Sequence, residues 1–137
     1  MFNLYMEILK FLESCGGPYL VAEDDTCFNL AEALHTGRYI LDRDESGEIR
    51  YFLDYWAVDQ QDMELIQNGG RPLNVSTGNS VYVLDFGFKG QYRQIRGEIA
   101  KELRLRFPGG QGIAWHHKVK RSEAFKHYPS QRGAQNG

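Results

Sequence analysis

Cysteine and histidine are scarce in this chain, which has two Cys and four His among 137 residues. Cys15 and Cys27 lack the spacing of metal ligands, so we expect free thiols in a reducing compartment. No Ser-His-Asp order and no nucleophile elbow occur, and neither cysteine has a basic neighbour that would activate its thiol. The sequence therefore gives no sign of a metal centre or of a nucleophilic triad.

Long apolar runs are also missing. No stretch approaches the roughly 18–20 apolar residues of a membrane span. The first residues, "MFNLYMEILKFLESCGG", have no basic leader, and Glu7, Lys10 and Glu13 interrupt their apolar pattern, so we do not expect a signal peptide. The sequence predicts a soluble, cytoplasmic protein with no membrane partner.

Apolar residues make up 42% and aromatic residues 13% of the chain, enough for a packed core. The length fits one domain, which we place at residues 1–129, and "SQRGAQNG" (130–137) is expected to be a disordered tail. The oligomeric state is left open, and a homodimer is one option.

The net charge of −2 hides an asymmetry between the two halves of the chain. Residues 1–70 hold 4 Lys and Arg against 14 Asp and Glu, whereas residues 71–137 hold 12 against 4. A basic second half indicates an anionic partner. The alternative is that the two halves neutralise each other within the fold.

Hydrophobic periodicity predicts the elements of the first half. Apolar spacings of three and four predict a helix over Phe2–Ser14, which "CGGP" ends. "PYLVAE" fits a short strand or an extended crossing. "DDT" offers N-caps for a second helix over Cys27–His35, which Gly37 stops. "RYILDRD" and "EIRYFLDYWAVD" then predict two strands joined by a tight turn at "DESGE".

The second half predicts a short helix at "QQDMELIQNGG", a loop at "RPLNVSTGNS", a strand at "SVYVLDFGF", a long helix over Gln91–Phe107 and a strand at "IAWHHKV". We therefore expect an α+β fold, with a mixed, mostly antiparallel sheet of four to six strands flanked by helices. Because the long helix links two strands, those strands should be parallel and joined by a right-handed crossover.

The junction between the strand "SVYVLDFGF" and the long helix has the features of an anion site. The first amides of a helix lack partners within the helix, and the dipole there is positive. Gly87 and Gly90 would let the backbone approach a ligand, while Lys89, Arg93 and Arg96 add positive charge. The alternative is an ordinary surface helix with solvated cations.

Asp85 is an acid inside an apolar strand. It shares one face with Val81 and Val83, while Tyr82, Leu84 and Phe86 take the other face. A carboxylate facing the interior must be paired, hydrogen-bonded or protonated, and desolvation would raise its pKa. Such a group suits proton transfer or the orientation of a base. The alternative is a solvent-facing carboxylate or one that accepts from loop amides near Gly87.

The remaining candidates are weaker. His116 and His117 are adjacent on a strand and point to opposite faces, so they do not form a metal site together, although either could line a cleft. Trp56 and Trp115 fit a core or a cleft wall better than a ligand platform. The segment "AWHHKVKRSEAFKHY" mixes bases and aromatics, but no nucleic-acid-binding motif is present, so nucleic acid is not the expected partner.

Several motifs nevertheless resemble known acyltransferases. The segment Gln94–Ile99 matches the first two fixed positions of the helix-start pattern Gln/Arg-x-x-Gly-x-Gly/Ala of the GNAT superfamily. A wider resemblance is to the RTX toxin-activating lysine acyltransferases, a branch of the GNAT fold. It is carried in order over roughly residues 28–128 by "GRYILDRDESGEIRYFLDYWAV", "MELIQNGG", "GNSVYVLDFGFKG" and "RLRFPGGQGIAWHH".

This resemblance implies a GNAT-like fold and transfer of an acyl group from a thioester, on acyl carrier protein or CoA, to an amine such as a protein lysine. It implies no tightly bound cofactor. Members of the family use an N-terminal His and a strand Asp for catalysis. Asp85 matches the Asp, no histidine precedes His35, and His35 and His116 are therefore the candidates for the missing imidazole.

The residues expected to hold the acyl donor surround the same strand end: Phe86, Gly87, Phe88, Lys89, Gly90, Arg93, Gln94 and Arg96. In this hypothesis the donor phosphate meets the amides and cations of Lys89–Gln94, and Asp85 orients or deprotonates the acceptor amine. The second hypothesis is a non-catalytic binding protein on the same scaffold that has lost its catalytic His.

Overall fold

A computed structural model describes the backbone of residues 2–15, 24–110, 112–119 and 122–129, and the side chains of 3–15, 27–110 and 112–114. Within these residues the chain forms an α+β fold with four helices and five strands. The helices are α1 (Phe2–Ser14), α2 (Asp24–Thr36), α3 (Gln60–Gln67) and α4 (Tyr92–Arg106). The strands are β1 (Tyr39–Arg43), β2 (Ile49–Val58), β3 (Ser80–Phe88), β4 (Gly112–Val119) and β5 (Ser122–Pro129).

The helices follow the predicted periodicity closely. The predicted bounds of α1 are confirmed, and α4 is one residue shorter at each end than predicted. The predicted start of α2 was wrong: the helix begins at Asp24, so "DDT" lies in its first turn instead of capping it. Acidic residues in a first turn are favoured by the helix dipole. The predicted "PYLVAE" segment lies outside the described residues, as does the predicted tail 130–137.

The hairpin between β1 and β2 is built by its turn residues, as predicted. Asp44 Oδ1 accepts hydrogen bonds from the Ser46 amide at 2.9 Å and from the Glu48 amide at 3.1 Å. Gly47 has φ of 88°, a conformation that favours glycine. The strands that leave the turn pair antiparallel, with Tyr39 opposite Asp54.

The strands follow one another in the order β1-β2-β3-β4-β5. The amide of Lys89 donates to the Arg50 carbonyl, and Asp85 lies beside Asp54, so β3 runs antiparallel to β2. The predicted parallel arrangement of the strands on either side of α4 is confirmed, because β3 pairs with β4 in parallel with Val81 opposite Ile113. The sheet is thus mixed and mostly antiparallel.

Strand β5 was not predicted from the sequence, where the expected elements ended at the preceding strand. It pairs antiparallel with β4 along its whole length, from Gly112 opposite Pro129 to Val119 opposite Ser122. The segment "SEAFKHYP" has charged residues among its apolar ones, so its own pattern is weak.

The chain divides into two compact units, each made of two segments. Unit 1 comprises residues 1–55 and 84–101, and unit 2 comprises residues 56–83 and 102–137. The core of unit 1 joins helices α1 and α2 to strand β2, with apolar side chains that are at most 7% exposed: Ile8, Phe11, Leu12, Leu30, Ile49 and Phe52.

In unit 2, helix α3 anchors the loop that follows it. Asp59 caps the helix by accepting from the Asp62 amide. The buried Asp62 carboxylate in turn accepts from the amides of Leu73 and Asn74, at 2.9 and 3.1 Å. Ser76 then forms a parallel bridge with Ala57.

Candidate functional site

The end of β3 presents its two faces to two different helices of unit 1. Gly87 packs against α1 so closely that a Cβ there would lie 2.9 Å from Leu12 Cδ2 and 3.2 Å from Cys15 Sγ. Phe86 and Phe88 lie on the opposite face, as strand alternation requires. Their rings stack at 5.4 Å, and both contact the Tyr92 ring at the start of α4.

Asp85 lies on the α1-facing side of the strand and is buried, with 3% exposure. Its backbone amide donates a 2.9 Å hydrogen bond to Oδ1 of Asp54, which lies on the neighbouring strand β2 and is 0% exposed. The prediction that Asp85 is buried is therefore confirmed. The structure also shows that a second buried carboxyl, that of Asp54, lies next to it.

The two carboxyls influence each other's protonation. Burial raises the pKa of Asp54 well above its usual range, and the charge of Asp85 and a hydrogen bond with the Asp85 side chain raise it further. Two carboxylates enclosed together cannot both ionise without strong repulsion. Buried acid pairs of this kind keep a proton at pH values where an exposed aspartate has lost it.

Cys15 lies beside this strand end, at the end of α1. Burial raises the pKa of the Cys15 thiol, while the charge of Lys89 and hydrogen bonds from the Phe88 backbone and the Ser14 side chain act in the opposite direction. The expectation that neither cysteine has a basic neighbour was wrong for Cys15, because the fold brings Lys89 close to it. The net rise in pKa leaves it a protonated thiol at neutral pH, so it is not an activated nucleophile.

The corner between β3 and α4 has a defined backbone. The Lys89 amide donates to the Arg50 carbonyl at 2.9 Å, so this amide is already used within the sheet. The Lys89 ammonium lies 5.6 Å from the centre of the Phe11 ring. Gly90 has φ of 112°, which strongly favours glycine. The fold therefore explains why glycine occupies both positions of this corner. Gly87 leaves space for the side chains of α1, and Gly90 adopts the positive φ that the turn requires.

The cations predicted to meet an anion are exposed. Arg93, Gln94 and Arg96 point away from the core on the first turns of α4. No ion pair within the described residues involves Lys89, Arg93 or Arg96. Among the described residues, the acids of the first half pair with Arg38, Arg43 and Arg50, which lie in the same half. The cations at the start of α4 are therefore exposed to a partner.

Arg50 is the cation that ties α4 to the sheet. Its guanidinium donates to Asp42 at 2.7 Å and to the two carboxylate oxygens of Glu98 at 2.6 and 2.9 Å. These hydrogen bonds raise the pKa of Arg50, and Arg50 in turn lowers the pKa of Glu98. The bidentate geometry fixes the first half of α4 against β2.

The two histidine candidates lie in α2 and β4. His35 lies in the last turn of α2 with an exposed side chain. The backbone of His116 lies in β4, and its side chain is outside the described ones. Their catalytic roles stay predictions. Trp56 is half-buried and stacks on Tyr82 at 5.8 Å, in keeping with its predicted place in a core or cleft wall.

Asp54 is the residue that sequence reasoning missed. A signal for it was present: Leu53-Asp54-Tyr55 repeats the pattern of Leu84-Asp85-Phe86, an acid between apolar residues in the middle of a strand. The antiparallel pairing of β2 with β3 places the two acids side by side. Periodicity alone does not give that register, so the pairing became visible only in the fold.

The chemical groups at this site are the two buried carboxyls of Asp54 and Asp85 and the exposed guanidinium groups of Arg93 and Arg96. The His, Cys, Asp and Glu side chains in the described part of the chain form no group of three or more that could hold a metal ion. None of its helices is long and apolar enough to cross a membrane.

No protein-family model matches the sequence, and no curated protein matches it significantly. Inferences about function therefore depend on the α+β fold and the site itself.

Proposed function

We propose that this protein transfers an acyl group from a thioester, carried by acyl carrier protein or CoA, to an amine. Two features of unit 1 and the order of segments along the chain support the proposal. A buried carboxyl, Asp85, lies near the end of β3; an exposed cationic helix start follows it; and the order of segments resembles the toxin-activating acyltransferases. The single observation that carries the proposal is the burial of Asp85 against a second carboxyl.

The proposed chemistry assigns the acid pair to proton handling. An amine attacks the thioester only as the free base, so a protonated lysine must first lose its proton. A buried carboxylate is a better proton acceptor than an exposed one, because burial disfavours its charged form. Asp85 is 3% exposed, so a substrate amine would reach it after side chains that cover the strand move. The free amine nitrogen then attacks the acyl carbonyl carbon and the carbon–sulfur bond breaks. The leaving thiolate takes up the proton that the nitrogen loses as the amide forms, and Asp85 returns its own proton to solvent.

The proposed donor site is the cationic start of α4. Arg93 and Arg96 are exposed and lie at a helix N-terminus, where the dipole also favours an anion. Both CoA and the phosphopantetheine arm of acyl carrier protein carry phosphate. An acidic carrier protein would in addition meet the positive charge of this helix.

Replacing Asp85 by asparagine tests the catalytic proposal. The asparagine side chain keeps the size of the original but cannot accept a proton, so we expect turnover to fall at least about a hundredfold. The assay would follow release of CoA or of unloaded carrier by mass spectrometry, with a lysine peptide as acceptor. Asp44→Asn, in the exposed hairpin turn, is the matched control and should keep full turnover. Full turnover by Asp85→Asn would contradict the proposal.

Reversing the charge of Arg93 and Arg96 tests the donor site. The double change to glutamate should weaken acyl-thioester binding at least about tenfold, with a smaller effect at high salt because exposed charges are screened. Thermal-shift or calorimetric titration with acyl-CoA and acyl carrier protein would measure it. The control is Lys101→Glu with Arg104→Glu, an equal charge change further along α4. Equal losses in both variants would mean that only net charge matters.

A non-catalytic binding protein is the alternative. The enclosure of Asp85 and the exposed position of His35 favour it, because neither arrangement presents a ready base to a substrate. This alternative predicts stabilisation by acyl thioesters without turnover and without any effect of Asp85→Asn on binding. A chain that no thioester stabilises would fit neither function.

A further inference from the structure

Arg50 on β2 contacts the chain on both sides of the corner between β3 and α4. Its carbonyl oxygen accepts a hydrogen bond from the Lys89 amide at 2.9 Å, at the start of the corner. Its guanidinium donates to the two carboxylate oxygens of Glu98, in the second turn of α4, at 2.6 and 2.9 Å. One residue of the sheet therefore binds the chain before the corner and after it.

The Arg50 guanidinium is itself held in place. Its Nε donates at 2.7 Å to Asp42 on the neighbouring strand β1, and the side chain is 25% exposed. A bidentate contact between arginine and a carboxylate fixes orientation as well as distance. Because β1 restrains the guanidinium as well, the Arg50–Glu98 pair has a more defined geometry than an ion pair between two free surface side chains.

The place of Glu98 determines which side of α4 faces the solvent. Successive residues of a helix are turned by about 100°, so Arg93 and Arg96 lie roughly 140–160° from Glu98 around the axis. Ile95, which is 1% exposed, lies only roughly 60° from Glu98. The ion pair and the buried isoleucine therefore hold one side of the helix against the sheet, and the two arginines point to the solvent.

We infer that Arg50 is a positioning residue for the donor site at the start of α4. Through Glu98 it holds the helix start in one orientation before a phosphate group binds. A site whose groups are already ordered loses less conformational entropy on binding, so its affinity is higher. The role of the ligand rests on the proposed acyl transfer, whereas the fixing of the helix by Arg50 does not.

Replacing Glu98 by alanine separates positioning from charge. The change removes a negative charge near the donor site, so an anionic donor would bind more tightly if charge alone set the affinity. Positioning predicts the opposite, a loss of about five- to tenfold in affinity, because the helix start is no longer fixed. Alanine favours a helix, so α4 itself should persist. Calorimetric titration with octanoyl-CoA and with octanoyl carrier protein would measure the change.

Replacing Arg50 by alanine tests the same ion pair from the other side. The hydrogen bond between the Arg50 carbonyl and the Lys89 amide does not need the side chain, so strand pairing should remain. We expect the same loss of donor affinity as in Glu98→Ala, and no further loss in the double variant, because both changes remove one interaction. If one of the single variants fails to fold, the other still decides.

The matched controls break a second bidentate ion pair of unit 1. Arg43 on the same hairpin donates to both carboxylate oxygens of Glu7 on α1, at 2.6 and 2.8 Å. Arg43→Ala and Glu7→Ala should each leave donor affinity within about twofold of wild type. Tighter binding by Glu98→Ala, or equal losses in the controls, would overturn the positioning role.

Kinetics give a second check on the same variants. Arg50 and Glu98 hold the donor site and do not act on the acceptor amine. The KM for the donor should therefore rise by about the factor lost in affinity, while kcat at saturating donor stays within a few fold. A fall in kcat with an unchanged KM would contradict the inference.

Hydrogen exchange judges the fixing of the helix without any ligand. The amides of Lys89 and Ile95 donate to the carbonyls of Arg50 and Gln91. Both amides should exchange several fold faster in Arg50→Ala and in Glu98→Ala than in wild type, and the controls should leave them unchanged. Unchanged exchange in the first two variants would overturn the inference. If wild type binds neither thioester, the proposed function and the role in donor binding both fail, while the exchange rates still decide whether Arg50 fixes the helix.

Discussion

Replacing Gly78 by alanine is expected to destabilise unit 2 by about 3 kcal/mol or more, because the new methyl group has no space. A Cβ at this position would overlap the carbonyl carbon and oxygen of Val58 and the amide nitrogen of Asp59. All three are backbone atoms, so no side chain can rotate to make room. The clash would push the loop off the end of β2.

That separation would also break backbone pairing. The Gly78 amide donates to the Ala57 carbonyl at 3.2 Å, and the Ala57 amide donates to the Val75 carbonyl at 2.8 Å. Chemical denaturation of Gly78→Ala beside Gly109→Ala would measure the effect. A methyl group added at Gly109 would meet no atom within 4 Å, and φ there lies outside the left-handed region, so this change should stay within about 0.5 kcal/mol. Equal stability of the two variants would show that the loop at Gly78 packs differently.

Truncating Phe52 to alanine is expected to cost unit 1 about 3–5 kcal/mol, the usual range for a buried phenylalanine. Phe52 is 0% exposed in the centre of β2 and belongs to the core that joins α1 and α2 to the sheet. Its ring also lies 6.1 Å from that of Tyr39 on β1. The cavity would remove contacts from three elements at once.

Phe28→Ala provides the matched control for this truncation. Phe28 lies on α2 with 69% of its surface exposed, so the same chemical change should alter the free energy of unfolding by no more than about 0.5 kcal/mol. Urea denaturation of both variants at one pH gives the comparison. A loss of less than about 1 kcal/mol in Phe52→Ala would mean that the core relaxes around the missing ring.

The helices and most strands could be predicted because their residues carry a local period. Ile95, Ile99 and Leu103 recur four apart in α4, and Asp44 and Gly47 supply the chemistry of the hairpin turn. These signals depend on backbone geometry within a few residues. Two elements were not predicted correctly. The predicted start of α2 was about one helical turn too late. Strand β5 was missed, because it forms by pairing with β4 and its own sequence pattern is weak.

The candidate site was predicted in part, for a related reason. An acid in an apolar strand indicates burial, so Asp85 could be found from its neighbours alone. Its partner Asp54 lies 31 residues away, and only the register between β2 and β3 brings the two together. The pairing of charged residues also depends on the fold. The sequence showed cations at the start of α4, but it did not show that Glu98 of this helix pairs with Arg50 of β2. Nor did it show that Arg93 and Arg96 are exposed.

The sequence by itself determined the α+β class, the helices apart from the start of α2, the turn at Asp44–Gly47 and the place of an acid, Asp85, inside an apolar strand, because each depends on residues close together in the chain. Tertiary structure decided which acid accompanies Asp85, which arginine is engaged, and that Cys15 lies near Lys89. These are relations between distant segments. They are set by strand register and helix packing, which no local pattern contains.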